Sequence, residues 1–312
     1  MAALAIGVDL GGTKIAAGVV DGEGKLLERA ELPSDIDDSA AVVAQIAELV
    51  SRLSVEGVTG VGIGAAGIVD HRTGHYFYGP NTGLRDFDLA RVASDAVRLP
   101  VKIDNDANCA AWAEHRFGVG RGCRDFICVT LGTGIGGGFV FGGKPYRGAH
   151  GGAAEIGHMV VDPDGPLCGC GRHGCWEQSA SGLALERMAL EGIGDHPESK
   201  LTEHFHAGRI RGQAITLAAR EGDAFAQNLI DTLAYWIGLG LGSLVNILEP
   251  QRIAIAGGIV RDWDLFAAGA ATAMLEQMEA DNRRPHPELL GAELGSDAGI
   301  VGAGLLVLED LD

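Results

Sequence analysis

Between His150 and Gln178 the chain reads HGGAAEIGHMVVDPDGPLCGCGRHGCWEQ, and no other stretch constrains the fold as tightly. His158, Cys168, Cys170 and Cys175 fall within eighteen residues, bracketed by Glu155 and Glu177. Three thiolates and an imidazole suit a four-coordinate structural zinc site with no open position. Gly169, Gly171 and Gly174 let the backbone turn tightly enough for the sulfurs to converge. Reduced core thiols, or a disulfide with one spare cysteine, are the competing readings, and Cys-x-Cys spacing is poor for a bridge. His150 and His173 compete with His158 for the fourth position, although His173 is expected to face solvent. The expectation is a Zn²⁺ loop, 158–175, that clamps Glu155, His158 and Glu177 against a small polar substrate.

A chain of 312 residues is natural for two domains. Its net charge of −18 argues against nucleic acid and anionic membranes as partners. Cys109, Cys123 and Cys128 show no framework spacing and read as small apolar fillers. The N-terminus enters a strand without a basic leader, so no signal peptide is expected, and a reducing cytoplasmic setting follows. The uncharged run 232–248, with glycines at 238, 240 and 242, reads as a buried helix rather than a membrane span.

Apolar runs and glycine turns predict strands at 4–9, 15–20, 25–32, 58–63, 100–103, 126–131, 135–141, 253–258 and near 289–294. Helices are predicted after Asp37-Asp38-Ser39, at 89–97, 107–117, 181–192, 212–221, 223–248, 262–280 and 298–311, the last capped by Asp297. Residues 70–83 read as a polar, glycine-rich excursion. The order strand, Gly-Thr turn, strand, glycine turn occurs at the N-terminus and again from residue 126, which suggests two lobes with the same opening hairpin. The boundary is set at the helix near 107–118, giving lobes 1–107 plus 298–312 and 108–297.

The turn Asp9-Leu10-Gly11-Gly12-Thr13-Lys14 exposes backbone amides and a hydroxyl to phosphate oxygens, and Lys14 adds charge or is merely a surface residue. It is not a P-loop, which needs a longer loop followed by a helix. Gly132-Thr133-Gly134-Ile135-Gly136-Gly137 formally matches G-x-G-x-x-G, but a strand follows where the dinucleotide fingerprint needs a helix. A second phosphate-holding hairpin is the better reading. Gly257-Gly258 either leaves room for a nucleobase or ribose or is a plain strand-to-helix turn. Asp104-Asn105-Asp106, at a strand end, is either a reacting centre whose carboxylate accepts a hydroxyl proton or a helix N-cap. Asp9 is expected to organise Mg²⁺ and its waters.

These motifs, taken with Glu155-Ile156-Gly157-His158 and the 168–177 cysteine motif, occur in an order that resembles the ROK family (repressors, open reading frames, kinases), in particular its actinobacterial-type glucokinases. The resemblance spans nearly the whole chain, and the cysteine motif is its most specific part. It implies an α/β, two-lobed, actin-like ATPase (ribonuclease-H-like) fold with a central cleft and an inserted zinc loop. It implies transfer of phosphate from Mg²⁺-ATP to the C6 hydroxyl of glucose, with Asp106 as general base. Asn105, Asp106, Glu155, His158 and Glu177 would bind the sugar, and Asn81 and the Gly67 loop would close its other side. Asp9, Gly11, Gly12, Thr13, Lys14, Thr133, Gly134, Gly257 and Gly258 would hold the nucleotide. A homodimer or homotetramer is implied as well. Ala154 stands where many members carry glycine. No helix-turn-helix precedes the first strand, which disfavours a repressor. The rival readings are a kinase for mannose, fructose or an N-acetylhexosamine, a polyphosphate-dependent kinase, and a non-catalytic sugar sensor.

Overall fold

A computed structural model describes residues 3–35, 38–79, 83–309 and 311. In chain order the strands are β1 (Leu4–Leu10), β2 (Lys14–Asp21), β3 (Leu26–Pro33), β4 (Val58–Ala65), β5 (Ile68–Asp70), β6 (His75–Tyr78), β7 (Arg85–Phe87), β8 (Val101–Asn105), β9 (Phe126–Leu131), β10 (Ile135–Phe141), β11 (Lys144–Tyr146), β12 (Arg252–Ala256) and β13 (Glu288–Gly291). The helices are α1 (Ser39–Leu53), α2 (Leu89–Val97), α3 (Asp106–Phe117), α4 (Glu177–Ala180), α5 (Gly182–Gly192), α6 (Leu201–His206), α7 (Gly212–Arg220), α8 (Ala224–Leu248), α9 (Trp263–Gln277) and α10 (Ala298–Leu308). Two compact units are present: Met1–Val129 with Gly137–Ala154 and Ala292–Asp312, and Thr130–Gly136 with Glu155–Gly291. Helix α3 and the β10–β11 turn therefore count with the first unit, whereas the lobes drawn from the sequence divide at residue 107.

The first unit is built on a mixed sheet of order β3-β2-β1-β4-β8. β1, β2 and β3 form an antiparallel meander, and β4 and β8 run parallel to β1. Ile6, Val8 and Leu10 point to one face, where Val42, Ile46, Leu49 and Leu53 of α1 bury at helical spacing. Asp38 caps α1, its Oδ1 accepting from Ala40 N at 2.8 Å. On the other face α10 packs against β1 and β4. It lies so close that a Cβ on Gly7 would fall 1.9 Å from Ile300 O, and one on Gly62 would fall 1.7 Å from Ala303 O. Glycine inside these strands is thus the condition for helix contact. Asp297 occupies the α10 N-cap position without capping by its side chain, which instead lies 3.5 Å from Arg29.

The polar excursion at 70–83 is partly ordered sheet: β5, β6 and β7 pair antiparallel, and Tyr76 is fully buried. The strand order β11-β10-β9 repeats the order β3-β2-β1.

The second unit carries the parallel pair β12–β13 and a helical layer in which α8 packs on α9. α8 is long and apolar enough to cross a membrane, yet one face of it, with Phe225, Leu229, Leu233, Ile237, Leu241 and Val245, is buried. Its glycines set the spacing: a Cβ on Gly238 would lie 2.4 Å from Ala270 O of α9, and one on Gly240 would meet the Trp176 ring at 2.1 Å.

Candidate functional site

In the first unit the strand ends β1, β4 and β8 collect the candidate groups. β8 stops at Asn105 because Asn105 caps α3: its Oδ1 accepts from Ala107 N at 2.9 Å and from Asn108 N at 3.1 Å. Its Nδ2 donates to Gly67 O at 3.0 Å, which joins the cap to the loop after β4. Gly67 has φ +122°, and a Cβ there would sit 2.3 Å from Tyr78 O, so glycine is required. Asn81 lies outside the described residues.

Asp104 leaves the candidate triplet as a reacting group. Its Oδ2 accepts from Arg147 Nε at 2.5 Å and its Oδ1 from Asn105 N and Asn108 Nδ2, all within a buried site. It is a structural pair that stiffens the turn carrying Asp106. Arg147 was not foreseen, because nothing in the sequence points across 43 residues to its partner.

Asp106 opens α3, and its Oδ1 accepts from Ala107 N at 2.9 Å. Burial raises its pKa above the ordinary carboxylate range. Asp9, at the end of β1, is pushed up to about 7, first by burial and then by the charge of Asp106. Two carboxyls with raised pKa values at one strand-end cluster make this the candidate reacting centre of the first unit. The neighbouring turn closes with Gly11 N donating to Lys14 O at 3.1 Å, and Gly12 and Thr13 are exposed. Lys14 turns along the meander to Glu31, 3.4 Å away.

In the second unit the 132–134 turn is closed by Gly132 N donating to Gly134 O at 3.0 Å, and Thr133 is exposed. Gly257 has φ +86° and packs on Leu131, whose O would lie 2.4 Å from a Cβ at 257; Gly258 opens an exposed 3-10 turn. Glu177, at the start of α4, presents Oε2 to Gly134, where a Cβ would come within 2.6 Å of it. Its Oε1 lies 3.1 Å from Cys168 Sγ and 3.8 Å from His158 Nδ1. Glu155 precedes the 3-10 turn Ile156–His158 and its carbonyl accepts from His158 N. One carboxylate thus touches both the glycine turn and the cysteine loop.

The ligand atoms of His158, Cys168, Cys170 and Cys175 lie within 4.8 Å of one another. Cys170 and Cys175 sulfurs are 3.5 Å apart, and Cys168 Sγ is 3.6 Å from His158 Nδ1. A tetrahedron with metal–sulfur bonds of ~2.3 Å and a metal–nitrogen bond of ~2.0 Å has edges of roughly 3.5–3.8 Å, so the donor set fits a four-coordinate ion. All six cysteines are free thiols, which removes the disulfide reading, and His173 is exposed, bonded to Gly165 O. Burial pushes the Cys168 and Cys175 thiols up, whereas Cys170, despite its own desolvation, is drawn down by the Arg172 N–H and the neighbouring thiols. Of the three glycines, Gly174 is indispensable, with φ +71° and Asp162 O only 1.5 Å from a Cβ. Gly171 has φ +86°; Gly169 has open space around it and an ordinary φ. Trp176, fully buried, anchors the loop by donating Nε1 to Trp236 O of α8 at 2.7 Å.

Mixed-sheet α/β architecture of the actin-like type, with paired glycine hairpins, is the class of fold these elements make. The ROK family model matches residues 5–310, and the chain belongs to the ROK family. It is 43% identical to a glucokinase of Streptomyces coelicolor over 98% of both chains. Among solved structures it is similar to a ROK family glucokinase from Streptomyces griseus in complex with glucose and AMPPNP (42% identity, TM-score 0.87, 97% of this chain and 98% of that one). A ROK hexokinase from Thermus thermophilus matches at 34% identity and TM-score 0.79, over 97% of each chain.

Proposed function

We propose that the chain is a glucokinase, which transfers the γ-phosphoryl group of ATP to the C6 hydroxyl of glucose. The full-length match to glucokinases at 42–43% identity carries this reading, and the half-buried Asp106, with its raised pKa, supports its chemistry. Asp106 accepts the hydroxyl proton as the sugar oxygen forms its bond to γ-phosphorus and ADP leaves. A base of raised pKa works once deprotonated, so the rate rises as pH climbs through its folded value.

Asn105, Gly67, Asn81, Glu155, His158 and Glu177 hold the sugar. Asp9, Gly11, Gly12, Thr13, Lys14, Thr133, Gly134, Gly257 and Gly258 hold Mg²⁺-ATP, with Asp9 toward the magnesium waters. Zn²⁺ would be bound by His158 Nδ1 and the three cysteines, supplying a fixed loop and tautomer, and it takes no part in the transfer. The working enzyme is a cytoplasmic homodimer or homotetramer.

A coupled assay across a hexose panel, with ATP and polyphosphate as donors, tests the reading. Glucose with ATP should give the highest kcat/KM. Asp106→Asn should lower kcat by at least ~10³ while glucose still binds. Near-native turnover in that variant would remove Asp106 from the base role.

A further inference from the structure

A cavity of about 700 Å³ lies wholly within the first unit, and its lining includes neither Asp9 nor Asp106. Its basic lining comes from three separated segments: His71, whose pKa burial lowers, and Arg72 after β5, Lys102 on β8, and Lys144 and Arg147 around β11. None of the described lining residues is Asp or Glu, in a chain with 42 acidic against 24 basic side chains. The general charge of the surface would favour the opposite.

Arg147 is buried in the cavity wall and held by Asp104, which neutralises it and fixes its position. Arg72 and Lys102 leave a positive excess in the cavity. The His71 ring is partly buried, and its Nδ1 has no hydrogen-bond partner. Between these polar groups run Val101, Pro145, Tyr146 and Leu306, which can cover the body of an organic molecule. The volume falls in the range of small-molecule sites.

We propose that this cavity binds a small phosphate monoester: the arginine and lysine side chains hold the phosphate, and the apolar strip covers the carbon skeleton. Bare phosphate would use only the cationic groups. The site is independent of the kinase reading, because none of its lining residues is assigned to sugar or nucleotide.

The test is isothermal titration of the full-length protein with glycerol 3-phosphate, with glucose and AMPPNP present at saturation. Binding is expected to persist under those conditions, to weaken as salt is raised, and to exceed that of inorganic phosphate. Arg72→Glu/Lys102→Glu should weaken it at least ~tenfold, equivalent to about 1.4 kcal/mol, with kcat for glucose unchanged. Four results would each overturn the proposal: no binding by the wild-type protein, equal binding by the double variant, loss of binding when AMPPNP is added, or inorganic phosphate binding as tightly as the ester.

Discussion

Asp9 should destabilise the ligand-free protein at neutral pH, and replacing it should reveal by how much. Its folded pKa is raised from 3.8 to about 7, chiefly by burial and then by Asp106. A tenfold change in proton affinity corresponds to about 1.4 kcal/mol, so this rise amounts to roughly 4 kcal/mol at full effect. The sign follows from proton uptake. Between pH 3.8 and 7 the folded state holds a proton on Asp9 that the unfolded chain has released, so stability falls as pH rises through that window. Above it the whole penalty is present. Asp9→Asn resembles the protonated carboxyl at every pH. The difference in urea unfolding free energy between variant and wild type should therefore be near zero at pH 4 and grow to several kcal/mol at pH 8. Taking the difference cancels the titrating groups that do not interact with Asp9, which leaves Asp106 as the coupled one. Adding Asp106→Asn should narrow the window from its upper end, because the second cause of the raised pKa is gone. A difference that stays flat between pH 5 and 8 would refute the reasoning.

Three other perturbations probe separate parts of the molecule. Cys170→Ala should abolish stoichiometric zinc by elemental analysis and raise the KM for glucose more than it lowers kcat; native protein without zinc would remove the metal reading. Arg147→Met leaves Asp104 charged in a buried site and should cost about 3–5 kcal/mol in denaturant unfolding, whereas Asp104→Asn/Arg147→Met together should recover part of that loss. Ala154 sits at φ +67°, a conformation that costs a non-glycine residue roughly 1–2 kcal/mol, so Ala154→Gly should leave thermal stability unchanged or raise it by about 1 kcal/mol, against the usual direction of Ala→Gly.

What the sequence made legible was local. Apolar runs ended by glycine turns located β1, β2, β9 and β10 to within a residue or two, because a buried strand and its turn are specified by adjacent residues. β5–β7 were not visible: the pattern is broken by charged residues, and only Val69 and Tyr76 among them are buried. β11 is too short to register a period. The site divides in the same way. The cluster of His158, Cys168, Cys170 and Cys175, which could hold a metal ion, was readable because its members crowd one loop. The Asp104–Arg147 pair and the Glu114 carboxylate, which accepts from Val119 N and Leu294 N, join segments far apart in the chain and leave no mark on spacing.

Asn105 shows why the choice between cap and functional residue was not a real choice. Its Oδ1 ends β8 and starts α3, and its Nδ2 fixes the Gly67 loop, so one side chain sets where Asp106 emerges. Glu177 does the corresponding work in the second unit. It begins α4, stands beside the 132–134 turn and touches the cysteine loop through Cys168. A change in the cysteine loop would reach the glycine turn through this one carboxylate. On the proposed assignments, chelating zinc should then alter nucleotide affinity as well as sugar affinity, whereas a clamp acting on the sugar alone would leave nucleotide affinity untouched.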